Sequence, residues 1–561
     1  MLVLTNITKC LIKNDYILCA ILAIAFATAP YFMGSGACPI SLAYCLSAVF
    51  TFLALLLFAG FTRTMMNRAA TDLNADGTPG FVERAMSTRH HVLRIALFII
   101  LIWLPVLVLL YPGTLINDTW GELNQYIVFS DYGLTKYLSD HHPLFDTMLM
   151  GLAIVPLSRL TGQWQMVIFG YVLIQAFMTA LAFSLTVDYV YHKLKLGPRA
   201  ALLVLAAYCL LPLYPASVQT VSKDALFSWI YVFFSLQFTE FVRTDGQSLN
   251  HWGSLLLFTL LMLLCCLTKK VGMYIVLFSY IIAWAVLQRK SVRLLIPVVG
   301  SVLLMGIIMP AVLETWQIAP GGKQEPLSLP FQMTARYVVE HGDDITPEEY
   351  EILSRVLDMD SIAEDYNPVS ADPVKGYSQM GADEDYSAYL CVWFRQGLRH
   401  PDSYWRAACC MLSGWFSWSE YDPLMNMNWR NQFDPYFIPE WVPVRTFSES
   451  TAAAYQEFYH ALYRNPLFSL LLSYGLYAAL IPAFVLGTVL KRNTPKGHWL
   501  AVLPFFFSLA LGCWLAPVSV HLEGKRYLYP ITYTAPLLLM WCLYVTKTRR
   551  EAEKAVSDGH Y

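Results

Sequence analysis

The chain has 561 residues, of which 57% are hydrophobic, 15% aromatic and only 14% charged, whereas soluble domains carry about 25% charged residues. That balance excludes a soluble globular protein, and no nucleic-acid partner is expected. The net charge of -2 hides an uneven spread: residues 314–466 hold 23 acidic against 10 basic residues, and the remainder 17 against 28. The expected fold class is an all-α polytopic membrane protein with an external, mostly helical domain.

A bilayer core about 30 Å thick needs roughly 20 apolar residues per helix. On that scale the spans fall near 16–34, 39–62, 92–111, 164–187, 200–215, 224–242, 252–267, 273–288, 293–313, 467–490, 499–516 and 528–546, about twelve in all. Lys9 and Lys13 precede the first span without a small-residue cleavage pattern, so it reads as a retained helix. Residues 1–62 are then two accessory helices, 63–91 a cytoplasmic loop, and 92–313 a transmembrane core with a first outer loop at 112–163. The acidic stretch 314–466 is an external domain, 467–546 the C-terminal helices, and 547–561 a cytoplasmic tail with about its last ten residues disordered.

Lys and Arg mark the cytoplasmic loops. Arg63, Arg68, Arg84 and Arg89, then Lys193, Lys195 and Arg199, then Arg243, then Arg289, Lys290 and Arg293, and finally Lys491, Arg492, Lys496, Lys547, Arg549 and Arg550 fall in alternate loops. Both termini come out cytoplasmic. The count requires that the apolar piece 144–160 not cross, because it is short, opens at Pro143 and carries Asp146 and Arg159; it reads as an interfacial or re-entrant helix. Most of the 12 Cys lie in apolar runs with no metal spacing and read as small hydrophobes.

In the acidic stretch Thr346-Pro347-Glu348-Glu349 is a helix-opening signal, with Thr at N-cap, Pro at N1 and Glu at N3, for a helix through about Leu357. Residues 367–377 read as a loop, and the Trp-rich run 405–418 as a segment lying on the membrane surface.

The chemistry-bearing residues cluster in 111–143, YPGTLINDTWGELNQYIVFSDYGLTKYLSDHHP. Asp118 sits where a helix would start, and Asp118, Glu122 and Gln125 share one face of it. Asp118 reads either as an N-cap or as a carboxylate that acts as base or orients a nucleophile or a metal. Asp140-His141-His142-Pro143 places an acid and two imidazoles at the entrance of the next helix, for a phosphate, a metal or a proton. Two consecutive His cannot share a helix face, so at most one of them points into a site. Lys223-Asp224, Lys269-Lys270 and the last outer loop, with His521, Glu523, Lys525 and Arg526, fall on the same outer side. Together these cations suit a lipid-linked phosphate. The Asp/Glu/His set permits a divalent ion, Mg2+ or Mn2+, without demanding one.

His142-Pro143-Leu144 after an acidic first outer loop resembles the GT-C glycosyltransferases, which include protein O-mannosyltransferases, aminoarabinose transferases and oligosaccharyltransferases. Through Asp118, Asp140-His141-His142-Pro143, Ser222-Lys223-Asp224 and Arg526-Tyr527, the chain from about residue 90 onward is most similar to a family of uncharacterised bacterial polytopic proteins of GT-C type. The resemblance implies transfer of a sugar from a polyprenyl-phosphate donor to a glycan, lipid or protein acceptor on the outer face. By position, Asp118 would be the first-loop acid and Arg526 a donor-phosphate ligand. Many members pair two acids in that loop, whereas Asp118 is followed here by Thr119, with Glu122 the nearest second acid. In this reading Asp118, Glu122 and Asp140 are the catalytic acids. His141, His142, Lys223, Asp224, Lys269, Lys270, Lys525 and Arg526 surround the substrate. A twelve-span transporter or lipid flippase, or a polymerase or ligase of lipid-linked glycans, are the competing readings.

Overall fold

The computed structural model describes residues 13–34, 40–72, 81–287, 291–322, 324–376, 383–418, 449–491, 497–516 and 524–557. Among the described residues, nine helices are long and apolar enough to cross a membrane. Eight coincide with the spans expected from sequence. Four more expected spans are shorter apolar helices, Gly197–Leu210, Trp252–Thr268, Gly272–Val286 and Leu476–Val489. The ninth long helix is Leu144–Thr161, so the segment kept out of the membrane on sequence grounds has the length and apolarity to cross one.

The helices differ in what surrounds them. In Leu42–Ala70 only 6% of the most apolar window is buried within the protein, against 78% in Lys223–Arg243 and 72% in Arg526–Lys554. A helix apolar on an unburied surface is solvated by lipid, and one buried all round forms the bundle core. The Lys223–Arg243 helix packs against Trp164–Asp188, Trp252–Thr268 and Tyr529–Ser557, and His91–Leu109 lies along Trp164–Asp188. Within the bundle, Phe183 and Tyr208 stack at 3.7 Å. Tyr208 and Tyr214 donate to the backbone oxygens of Tyr533 and Thr532 at 3.1 and 3.2 Å. Buried hydroxyls with partners lock the last helix to the chain just before Lys223.

Several expected boundaries move. Arg63 is not in a loop: its helix runs Leu42–Asp72, and Arg63 is buried against Asp15 of the preceding helix. The pairing lets the charge remain inside, where an unpaired one would be costly. The span at 467–490 is broken between Pro466–Leu472 and the π turn Leu476–Leu480. The final helix continues to Ser557, through most of the expected tail.

The acidic region has its own core. Helices Ser328–His341, Pro347–Ser354 and Asp383–Arg399 bury Phe331, Leu353, Tyr389 and Val392 together. The Thr346 cap forms, with Glu349 N–H donating to Thr346 Oγ1 at 3.2 Å and Thr346 N–H to Glu349 Oε2 at 3.3 Å. Its helix ends at Ser354, before Leu357, and the expected loop holds the short helix Asp372–Gly376. Within 405–418 the helix Pro401–Leu412 exposes Trp405, and the following 3-10 turn Ser413–Phe416 buries Trp415. Trp418 stacks on Phe26 of the first helix at 4.0 Å, so the run ends against the bundle. Residues 419–448 of this region lie outside the described residues.

Candidate active site at the mouth of the bundle

Two helix starts are held side by side by the backbone. Thr114–Leu115 pairs in parallel with Thr220–Val221, and the Gln175 side-chain amide donates to the carbonyls of Val218 and Thr220 at 2.6 and 2.9 Å. Gly113 makes the close approach possible. Its φ is +114°, and a Cβ there would meet Val172 Cγ2 at 2.7 Å and the Gln219 carbonyl at 2.9 Å. Asn117–Tyr132 and Lys223–Arg243 therefore begin next to each other, with Asp118 and Asp224 in their first turns, where the helix dipole favours a negative charge.

Asp118 does not cap its helix: Ile116 occupies the N-cap and no side chain caps it. The Asp118 carboxylate instead faces the cations. Arg526, from the turn Gly524–Leu528, donates to Asp118 Oδ2 at 2.6 Å, and Lys223 to the same oxygen at 3.0 Å. Lys223 also donates to His142 Nδ1, and His142 Nε2 lies 4.0 Å from Asp118 Oδ1. Beyond Arg526, whose Nε is 3.7 Å from Asp224 Oδ2, Lys269 donates to Asp224 Oδ1 at 2.7 Å. Three cations and two carboxylates from four stretches of chain thus form one continuous network, with the Asp118 side chain 19% exposed and Asp224 fully buried.

Of the two adjacent histidines, His142 is buried in the network and His141 is exposed. Asp140 is turned away from Asp118 and pairs with Lys270 at 2.8 Å. The loop that carries it is strapped down by Asp140 N–H donating to the Ala319 carbonyl at 2.8 Å and by Ser139 N–H donating to Gln125 Oε1 at 2.9 Å. The cations are therefore not a bare anion pocket, because each of Lys223, Lys269, Lys270 and Arg526 holds a carboxylate. The Lys525 side chain and residues 521–523, with His521 and Glu523, lie outside the described residues.

Burial opposes a charge on Asp118, but Arg526 and Lys223 outweigh it and hold the carboxyl well below the usual range. Burial and the neighbouring Lys223 push His142 down to about 3, so its imidazole is neutral. One turn further into the protein, Glu122 is pushed up to about 8, chiefly by burial. It accepts from Thr147 Oγ1 at 3.3 Å, while its Oε1 meets no partner among the described residues.

Asp146 was missed as a site residue. It is fully buried one turn after His142, and neither of its oxygens is hydrogen-bonded among the described residues. The available signal was a lone carboxylate inside an apolar helix, a functional candidate by default in a membrane protein.

The acids here do not fit a divalent ion. Asp118 Oδ2 is taken by two cations, Asp140 points elsewhere, and the three-ligand clusters among the described residues are His91, Asp188 and His192, and His341, Asp344 and His400.

A small cleft adjoins the network, lined by Lys269, Tyr527, Ile275, Leu511 and Leu515. No curated protein and no solved structure matches the chain. The model of a family of unknown function, DUF6020, matches residues 126–557, a stretch that holds His142, Lys223, Asp224, Lys269 and Arg526 and begins just after Asp118 and Glu122. The chain is a member of the DUF6020 family.

Proposed function

We propose that the chain is an inverting membrane glycosyltransferase that moves a sugar from a polyprenyl-phosphate donor to a cell-envelope acceptor on the outer face. The observation that carries this reading is one ionised carboxylate, Asp118, held between Arg526 and Lys223 at the mouth of the bundle. The place of this network at the mouth of a bundle of apolar helices supports a lipid-linked donor, whose phosphate the cations would meet.

The acceptor hydroxyl attacks the anomeric carbon, the bond from that carbon to the phosphate oxygen breaks, and polyprenyl phosphate leaves with the electron pair. Asp118 takes the acceptor proton. A carboxylate neutralised by two cations is a weak base, so donor binding has a second role. The phosphate shares Arg526 and Lys223 with Asp118, and the weakened pairing raises the basicity of Asp118 as the reaction is assembled. Arg526 and Lys223 then stabilise the departing phosphate. Glu122, pushed up to about 8 chiefly by burial and lying one turn further in, has no ion pair with Arg526 or Lys223 among the described residues and is assigned a supporting role.

Turnover of purified protein against labelled polyprenyl-phosphate sugars, wild type beside Asp118→Asn, tests the proposal. Release of polyprenyl phosphate by the wild type alone supports it, and equal release by both overturns the assignment of Asp118. Glu122 and Asp146, buried without a cation on them, favour a second reading as a proton-coupled transporter. Pumping of protons or lipid in proteoliposomes without any transfer would select that reading.

A further inference from the structure

A separate cluster lies at the other end of the bundle. His91 opens the 19-residue helix His91–Leu109, whose far end leads to Asp118 after about 28 Å of helix at 1.5 Å per residue. Asp188 ends the neighbouring helix Trp164–Asp188, and the next five residues, Tyr189–Lys193, form a π turn. Such turns recur at functional sites. Here the turn carries His192, whose Nδ1 lies 2.7 Å from Asp188 Oδ1. His91 Nε2 comes from the other helix to within 2.6 Å of the same oxygen.

The second nitrogen of His91 lies 2.8 Å from the Thr88 carbonyl oxygen. Both nitrogens of His91 thus face oxygens that only accept. With Nδ1–H given to Thr88, Nε2 meets Asp188 either through a second proton or through a cation. An imidazole anchored by a backbone carbonyl on its far side is how metal-binding histidines are oriented. The ligand atoms of His91, Asp188 and His192 all lie within 4.8 Å of one another, and the His192 side chain is 40% exposed, which gives an ion access.

We propose that His91, Asp188 and His192 form a Zn2+ site that ties the start of one membrane helix to the end of its neighbour. Two imidazole nitrogens and one carboxylate suit zinc, whereas magnesium and calcium take oxygen ligands. Tetrahedral zinc with bonds of about 2.0–2.1 Å sets its donors roughly 3.3 Å apart, so loading opens the two short contacts by well under 1 Å. The partly exposed His192 can move that far, and its exposure leaves room for a water as fourth ligand.

The other three-ligand cluster, in the acidic domain, is a natural control. There His400 Nε2 lies 2.8 Å from Asp344 Oδ2, and the rings of His341 and His400 stack at 3.7 Å, so the same residue types are held on a separate domain.

The test strips full-length protein in detergent with a chelator, then titrates Zn2+ against a chromophoric competitor in excess Mg2+. Wild type should take up Zn2+ at this site. His91→Gln with His192→Gln should lose one equivalent, and His192→Gln alone should weaken it by at least about tenfold. His341→Gln with His400→Gln should keep that equivalent. Co2+ in its place should give the visible absorption of a four-coordinate ion. Should the double variant fail to fold, the wild-type Co2+ spectrum decides. A six-coordinate spectrum, or Zn2+ uptake indifferent to His91 and His192, overturns the site and leaves Asp188 as an ion-pair partner of two histidines.

Discussion

The mouth of the bundle and the acidic domain use the same residue types to opposite ends. In the acidic domain Arg355 pairs with Glu351 and Arg406 with Asp402, each one helical turn apart, with Glu351 73% and Asp402 65% exposed. Such pairs fasten a helix surface and contribute about 0.3–0.5 kcal/mol each. At the mouth, Asp118 meets Lys223 and Arg526 from 105 and 408 residues away, all three side chains less than one-fifth exposed. Charges drawn that far and that deep carry a desolvation cost that short-range pairs avoid. Folding that offsets such a cost makes the mouth, not the domain, the place where function is expected.

The largest effect that would separate the two regions is on turnover. Asp118→Asn keeps the shape but removes the proposed proton acceptor, and the rate of polyprenyl-phosphate release should fall about 10²–10⁴-fold. Glu340→Gln in the acidic domain should leave that rate alone. Equal losses in both variants would erase the distinction.

Next in size is stability. Asp224 is fully buried against Lys269, and Asp224→Leu strands that ammonium, so a loss of about 3–5 kcal/mol is expected. A large drop in the thermal midpoint of the detergent-solubilised protein would show it, against no resolvable change for Glu351→Gln. A tolerant Asp224→Leu would mean that water already reaches Lys269.

The pH dependence sharpens the comparison further. Folding raises the Glu122 carboxyl from 4.5 to about 8, so the folded state holds a proton that the unfolded chain releases. The stability this proton provides is complete below about 4.5 and is lost as pH rises through about 8, at no more than about 1.4 kcal/mol per pH unit. Thermal midpoints from pH 5 to 9 should therefore fall faster for wild type than for Glu122→Gln. Parallel curves would place Glu122 in contact with solvent.

The two regions also differ in how far they could be read from sequence. Local signals carried most of the fold: apolar length gave the spans, and Thr346 with Glu349 gave a cap that forms. The gathering of Asp118, His142, Lys223 and Arg526 at one end followed from topology alone. Their partners did not, because whether Lys223 meets a phosphate or Asp118 is decided by the pairing of Thr114–Leu115 with Thr220–Val221, two residues each and too short for any periodicity. Asp146 carries a signal of its own, a lone carboxylate inside an apolar helix, which bears on site chemistry as well as on where the helix lies.

The smallest expected effect tests whether the acidic domain is only a neighbour of the site. Thr346→Ala removes the oxygen that accepts from Glu349 N–H, at about 1 kcal/mol. Glu349 keeps its second anchor, Arg399 at 2.9 Å, so the helix Pro347–Ser354 frays at its start while the domain stays folded. Hydrogen exchange should rise at the amides of Glu348 and Glu349 and nowhere near Asp118. Transfer should be unchanged. A loss of turnover on the scale of Asp118→Asn would mean that the capped helix positions the acceptor, and the division between a chemical mouth and a structural domain would have to be redrawn.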